Sequence, residues 1–236
     1  MFDKQRNRVL GELDLAHQSF YHTEIFGGPS LHFHLKSLDA AKERDLDRVA
    51  ESVYAVLTAW GMHRMGPGGS KMCEFGKFRA SLQAVWPIVI PLQIKTSNTL
   101  TESDWSSLQS VFSEVCCMAS KSSLVGNSKV MAHLLPNLVP PVDREYTLKF
   151  LFGRGNITNG IDLEWGKLRM VLEGFFYPVS QSPIFQLKAE GWLLQQDLYK
   201  WDTSSLKIVD NLVIGLSKMS RADQPSSKIL AEVAMS

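Results

Sequence analysis

Apolar residues recur along this chain at helical spacing, and that recurrence sets the first expectation of its fold. Leu46, Val49, Ala50, Val53, Tyr54, Leu57 and Trp60 fall at i, i+3, i+4 and i+7 and form one stripe, with Asp45, Asp47, Arg48 and Glu51 off it. Glycines at 61, 66, 68 and 69, with Pro67, end that helix, and Ser70 can cap the next, which carries Phe75, Phe78, Leu82 and Val85. The stretch WPIVIPLQI at 86–94 is rich in β-branched residues but broken by Pro87 and Pro91, so a buried extended connector or a helix end is expected there. Thr101 before Glu102 and Asp104 reads as a helix start, followed by the stripe Trp105, Leu108, Val111, Phe112, Val115 and Cys116. Two more stripes follow: Leu168, Val171, Leu172, Phe175 and Phe176, then Leu206, Val209, Leu212, Val213 and Leu216. Spacing in 178–201 is mixed. With no alternating series, the expectation is an all-α fold: one mostly helical domain over 1–219 and a small, polar, flexible tail over 220–236, with one docked turn at 229–233.

Composition narrows the classes. At 236 residues, 44% hydrophobic and 21% charged, the chain has the makings of a packed core. A net charge of +1 is unlike a protein that holds nucleic acid chiefly through a large positive field. Residues 121–170 nevertheless hold seven basic against four acidic side chains, so the local excess of +3 exceeds that of the whole chain. Three cysteines make neither a disulfide framework nor a four-thiolate metal site, and Cys116 and Cys117 are expected to pack as small apolar groups in a helix. The charged N-terminus lacks the apolar core of a signal peptide, and no apolar run is long enough to span a membrane, so a cytoplasmic setting is the default.

Chemistry concentrates at 124–153, LVGNSKVMAHLLPNLVPPVDREYTLKFLFG. A turn precedes Lys129, which opens a short apolar helix; a proline-rich loop then leads to Asp143 at the start of another helix. This order resembles the active segment of the helix-hairpin-helix DNA glycosylases. The resemblance implies a two-lobed helical domain with a cleft, double-stranded DNA as partner, and base excision or abasic-site cleavage without a cofactor or metal. Lys129 would be the Schiff-base lysine and Asp143 the carboxylate that stabilises the sugar cation or takes a proton. Gly126, Asn127 and Ser128 would form the hairpin turn that offers backbone N–H groups to a DNA phosphate, with Arg144 as a further nucleic-acid contact. Two departures stand out: one glycine of the family's Gly-x-Gly turn is absent or displaced, and the lysine-to-aspartate spacer is shorter by about one helical turn, roughly 5 Å of rise. No C-terminal four-cysteine cluster is present. The competing expectation is a non-catalytic nucleic-acid-binding or protein-interaction domain, in which Asp143 is a helix cap and Lys129 a solvated surface residue.

Other constellations are weaker. His32 and His34 in SLHFHL would share one face of a strand and could begin a metal site, with His22, Glu24 and His63 as further ligands. GMHRMGPGGSKM lacks the Gly-Lys-Ser/Thr order of a phosphate loop, though Arg64 and Lys71 in it could touch phosphate. Among six tryptophans, Trp60 and Trp105 are expected in the core, and Trp165, off its stripe, at the surface. Oligomeric state is left open.

Overall fold

The computed structural model describes residues 1–22, 27–64, 72–119 and 122–222. Among these the fold is all-helical, and the single β feature is an isolated antiparallel bridge between Met72 and Met118. The chain opens with α1 (Asp3–Gly11) and α2 (Leu13–His22), then α3 (Pro29–Lys42), α4 (Leu46–Ala59) and α5 (Phe75–Leu92). It continues through α6 (Glu102–Glu114) and α7 (Leu124–Leu134) to a π-helical turn at Arg144–Leu148, which runs into α8 (Lys149–Phe152). The remainder is α9 (Ile161–Val171), a second π turn at Leu172–Phe176, α10 (Tyr177–Ser180), α11 (Pro183–Leu193) and α12 (Ser205–Ala222).

Local chemistry explains the starts. Asp45 caps α4 by accepting from the Arg48 N–H at 3.1 Å, and α4 buries Val49, Ala50, Val53 and Leu57. Thr101 and Asp104 form a reciprocal capping box at α6, the device that the acidic first turn foreshadows. The 86–94 stretch is the C-terminal end of α5 and not an extended connector: the helix runs through both Pro87 and Pro91 to Leu92, burying Val85, Val89 and Leu92. Each proline forfeits one hydrogen bond, but packing of this apolar face holds the helix together. Cys116 and Cys117 lie beyond the end of α6 instead of within a helix. The mixed 178–201 region contains α11, and α12 extends to Ala222, past the expected boundary at 219.

Helices α3 to α7 pack in series, and α2 lies along α12. The α2–α12 approach is close because Gly215 has no side chain, and a Cβ there would overlap the Ala16 carbonyl oxygen. One continuous apolar cluster, from Val9 through Phe112 and Phe176 to Leu216, joins both helix groups. Trp165 belongs to it, only 5% exposed, so the expected surface position is corrected: its edge meets Trp105 and it packs on Phe112. No described helix is long and apolar enough to cross a membrane. The proposed cap Ser70, the glycines at 66, 68 and 69, Lys71, Glu24 and the 229–233 turn lie outside the described residues.

Candidate functional site

A cavity of about 540 Å³ opens between the α3–α7 series and the α2–α12 pair. Trp60 and Met62, just past α4, form one wall, and Val125 and Lys129, one turn apart on α7, form a second. Asp143 to Tyr146 stand at the start of the first π turn, while Phe20, Trp201, Lys207 and Asp210 close the far side. The sequence pairing of Lys129 with Asp143 is therefore a spatial one: both line this cavity.

Lys129 is half-buried, and its Nζ lies 3.9 Å from Met62 Sδ and 5.2 Å from the centre of the Trp60 ring. Among the described residues no carboxylate lies within 4.0 Å of it. Burial lowers its pKa from 10.5, against the opposing pull of Asp143 and Asp210 and with a smaller push from Lys207. A desolvated amine with neighbours that are mostly aromatic or thioether has a larger neutral fraction than a surface lysine, and the neutral form is the nucleophile. Asp143 is the N-cap that its sequence position predicts: Oδ1 accepts from the Tyr146 N–H at 2.7 Å. Capping holds this carboxylate in place at the cavity wall, so cap and chemistry are compatible roles for one side chain.

Two further charged groups escaped the sequence reading. Lys207, 7% exposed, donates to Asp210 Oδ2 at 2.8 Å and to Asn211 Oδ1. Asn211 donates in turn to the Trp201 carbonyl at 3.2 Å and to Asp202 Oδ1 at 2.8 Å, and the other Asp202 oxygen lies 2.7 Å from His17 Nε2. Burial raises the Asp210 pKa, with Lys207 the main opposing influence. The available signal was LKIVDNLVIGL, where Lys207, Asp210 and Asn211 interrupt an apolar run at i, i+3 and i+4, a pattern of buried polar groups that need partners.

Beneath Lys129 lies a pair of histidines. His133 Nδ1 is 2.7 Å from the Lys129 carbonyl, His133 Nε2 is 3.0 Å from His34 Nδ1, and His34 Nε2 is 3.1 Å from Thr203 Oγ1. A carbonyl only accepts, so the network assigns a proton to His133 Nδ1, makes His34 Nδ1 the donor to His133 Nε2, and makes Thr203 the donor to His34. Both rings are neutral: burial lowers the His133 pKa to about 4 and that of His34 well below 6.5.

Several expected site residues stand elsewhere. Gly126, Asn127 and Ser128 form no hairpin turn; they lie inside α7 and are buried. A Cβ at Gly126 would overlap Cys117 Sγ, Asn127 Nδ2 donates to the Phe112 and Val115 carbonyls at 2.7 and 2.9 Å, and Ser128 Oγ accepts from the Val142 N–H at 3.1 Å. Their work is to join α6, α7 and the Asp143 loop. Two N–H groups at the head of α7 are also engaged: Glu164 Oε2 accepts from Ser123 at 2.7 Å and Leu124 at 2.6 Å. A phosphate therefore finds no exposed turn there, and the Ser123 and Leu124 donors are already taken. Arg144 is exposed at the cavity rim, with a long 3.4 Å contact to Ser122 Oγ. Trp60, expected in the core, is half-buried and faces the cavity. His32 and His34 are on α3, not on a strand; at that spacing they diverge, His34 buried and His32 exposed. Among the described residues no group of three His, Cys, Asp or Glu is placed to hold a metal ion.

Compared with known protein families, curated proteins and solved structures, the chain matches none.

Proposed function

We propose that the protein is a DNA-processing enzyme of the helix-hairpin-helix glycosylase type, acting on an N-glycosidic bond with Lys129 as nucleophile and Asp143 as its carboxylate. The observation that carries this reading is the opening of an amine with no ion-pair partner among the described residues and a capped carboxylate onto one cavity. At about 540 Å³ the cavity is within the ordinary range for a ligand the size of a flipped nucleoside, roughly 300–1,000 Å³. The neutral Lys129 amine attacks the sugar C1′, a C–N bond to lysine forms as the C1′–base bond breaks with its electron pair, and the proton that the amine loses passes by way of Asp143 to the leaving base. The C1′–O4′ bond of the sugar ring then breaks, the ring oxygen takes a proton from water, and a protonated Schiff base results; Asp143 stabilises the positive charge that develops on the sugar. Arg144 at the rim supplies a cation for a backbone phosphate. Excision from duplexes carrying single damaged bases tests the carboxylate: Asp143→Asn should fold, since an amide oxygen still caps Tyr146, yet excise at least about a hundredfold more slowly. Unchanged excision in a folded Asp143→Asn protein removes the assignment.

A second reading is supported by the α7 head. With Gly126, Asn127 and Ser128 buried and the Ser123 and Leu124 N–H groups satisfied by Glu164, the family's phosphate hairpin has no counterpart in this segment. On this view the protein is a non-catalytic helical interaction domain, and the cavity holds a side chain or small ligand of a partner. DNA affinity measured against salt separates the two: a log–log slope near zero points to the interaction domain, and a steep negative slope to phosphate contacts.

A further inference from the structure

The cavity's deepest carboxylate is Asp210. It is 3% exposed, lines the cavity, and is bound on one side only: Oδ2 accepts from Lys207 at 2.8 Å, while among the described residues Oδ1 has no hydrogen-bond partner. That oxygen is not sealed off: it opens onto the cavity, so whatever fills the cavity, water or a guest, can donate to it. Lys207 cannot turn to meet a guest, because Asp210 and Asn211 hold its ammonium and the rings of Trp201 and Phe20 lie 5.4 and 5.6 Å from it. Beside this pair Trp60 and Trp201 stand with centroids 6.5 Å apart and planes at 37°, too close to admit a ring between them; both contribute to an aromatic wall of the cavity, with His34 already stacked on Trp201 at 4.9 Å and the half-buried Trp60 the more open of the two.

We propose that Asp210 reads the guest of this cavity by accepting a hydrogen bond from a ring N–H or exocyclic amino group of a planar heterocycle, a specificity role that rests on the base-excision reading of the same site. The chemistry fits a nucleobase better than a sugar or phosphate. An acceptor-only carboxylate repels phosphate, and its charge is already balanced by Lys207, so a neutral N–H donor matches it better than a second cation. A sugar hydroxyl could donate, but it would leave the aromatic wall uncovered. The base then lies against Asp210, and this leaves the sugar to Lys129 and Asp143, which line the same cavity.

The test is ligand binding followed by tryptophan fluorescence, since Trp60 and Trp201 both face the cavity. Uracil is compared with 1,3-dimethyluracil, and adenine with 6-dimethylamino-9-methylpurine; each second compound keeps the ring and loses every N–H. In the wild-type protein the parent bases should bind at least about tenfold more tightly than the methylated ones, as expected when a charged acceptor loses its donor. In Asp210→Asn the amide oxygen turns to Lys207 and the amide N–H₂ faces the guest, a donor meeting a donor, so the preference should vanish. Equal binding of parent and methylated bases, no quenching by any of the four, or a preference that survives Asp210→Asn overturns the proposal. The wild-type comparison decides alone if the variant does not fold. Trapping on abasic DNA contains no base to read, so failure of trapping with base preference intact removes the excision reading alone, and the reverse removes only the role of Asp210.

Discussion

Glu164 Oε2 accepts a 2.6 Å hydrogen bond from the backbone N–H of Leu124, and α9 thereby seals the first turn of α7 with an internal carboxylate. The same oxygen takes the Ser123 N–H, and Oε1 takes the Gly160 N–H at 3.3 Å. Glu164 is fully buried, so its substitution leaves the Ser123 and Leu124 N–H groups without their acceptor. Glu164→Ala should lower stability by about 3 kcal/mol in denaturant titrations. Because the head of α7 makes no phosphate contact in this arrangement, the salt slope of any DNA binding should be unchanged in the folded variant.

The neutral His34–His133 pair makes stability depend on pH. His133 has a pKa of about 4 in the folded protein and 6.5 as its ordinary value. The unfolded chain therefore binds more protons than the folded one between these values, and stability rises with pH across that window. It is full above about pH 6.5 and is lost progressively as pH falls toward 4, by roughly 3 kcal/mol from His133 alone. Denaturant midpoints taken from pH 7 to pH 4 check this, and His133→Asn, which cannot take up the proton, should flatten the fall.

Lys129 is held at a cost. Its amine is desolvated and has no ion pair among the described residues, so Lys129→Met, similar in length and without charge, should raise stability by about 1 kcal/mol while ending the proposed Schiff-base chemistry. In the wild type the amine must be neutral to attack, so reactivity should climb with pH and reach half its maximum below pH 10.5. A destabilised Lys129→Met protein, or a reactivity midpoint above pH 10.5, contradicts this account of the cavity.

The helices were legible because burial writes its period into the sequence: the stripes of α4, α6 and α12 are the buried faces of those helices. Asp143 was legible because a cap is a local device, fixed by residues three apart. The misread features depend on distant partners. Gly126 looks like a turn residue, but it is small because Cys117, in the segment before the helix, needs the space. Pro87 and Pro91 look like breakers, but the buried face of α5 overrides them. Lys207 and Asp210 are on the far side of the cavity from Lys129 in sequence, and only folding brings them together.

Gly215 fixes the far wall of the cavity. A Cβ there would overlap backbone atoms of Ala16, which cannot swing aside as the side chain of Cys117 can at Gly126. Gly215→Ala should therefore cost about 3 kcal/mol by forcing α2 and α12 apart, and more than Gly126→Ala. Because α12 carries Lys207 and Asp210, the folded remainder should also show weaker fluorescence quenching by adenine.

The amine assigned as nucleophile can be caught directly. Incubation with abasic duplex DNA and borohydride, followed by proteolysis and mass spectrometry, should yield a covalent adduct on the peptide containing Lys129, lost in Lys129→Ala. No adduct, or an undiminished adduct in Lys129→Ala, contradicts the lysine's role.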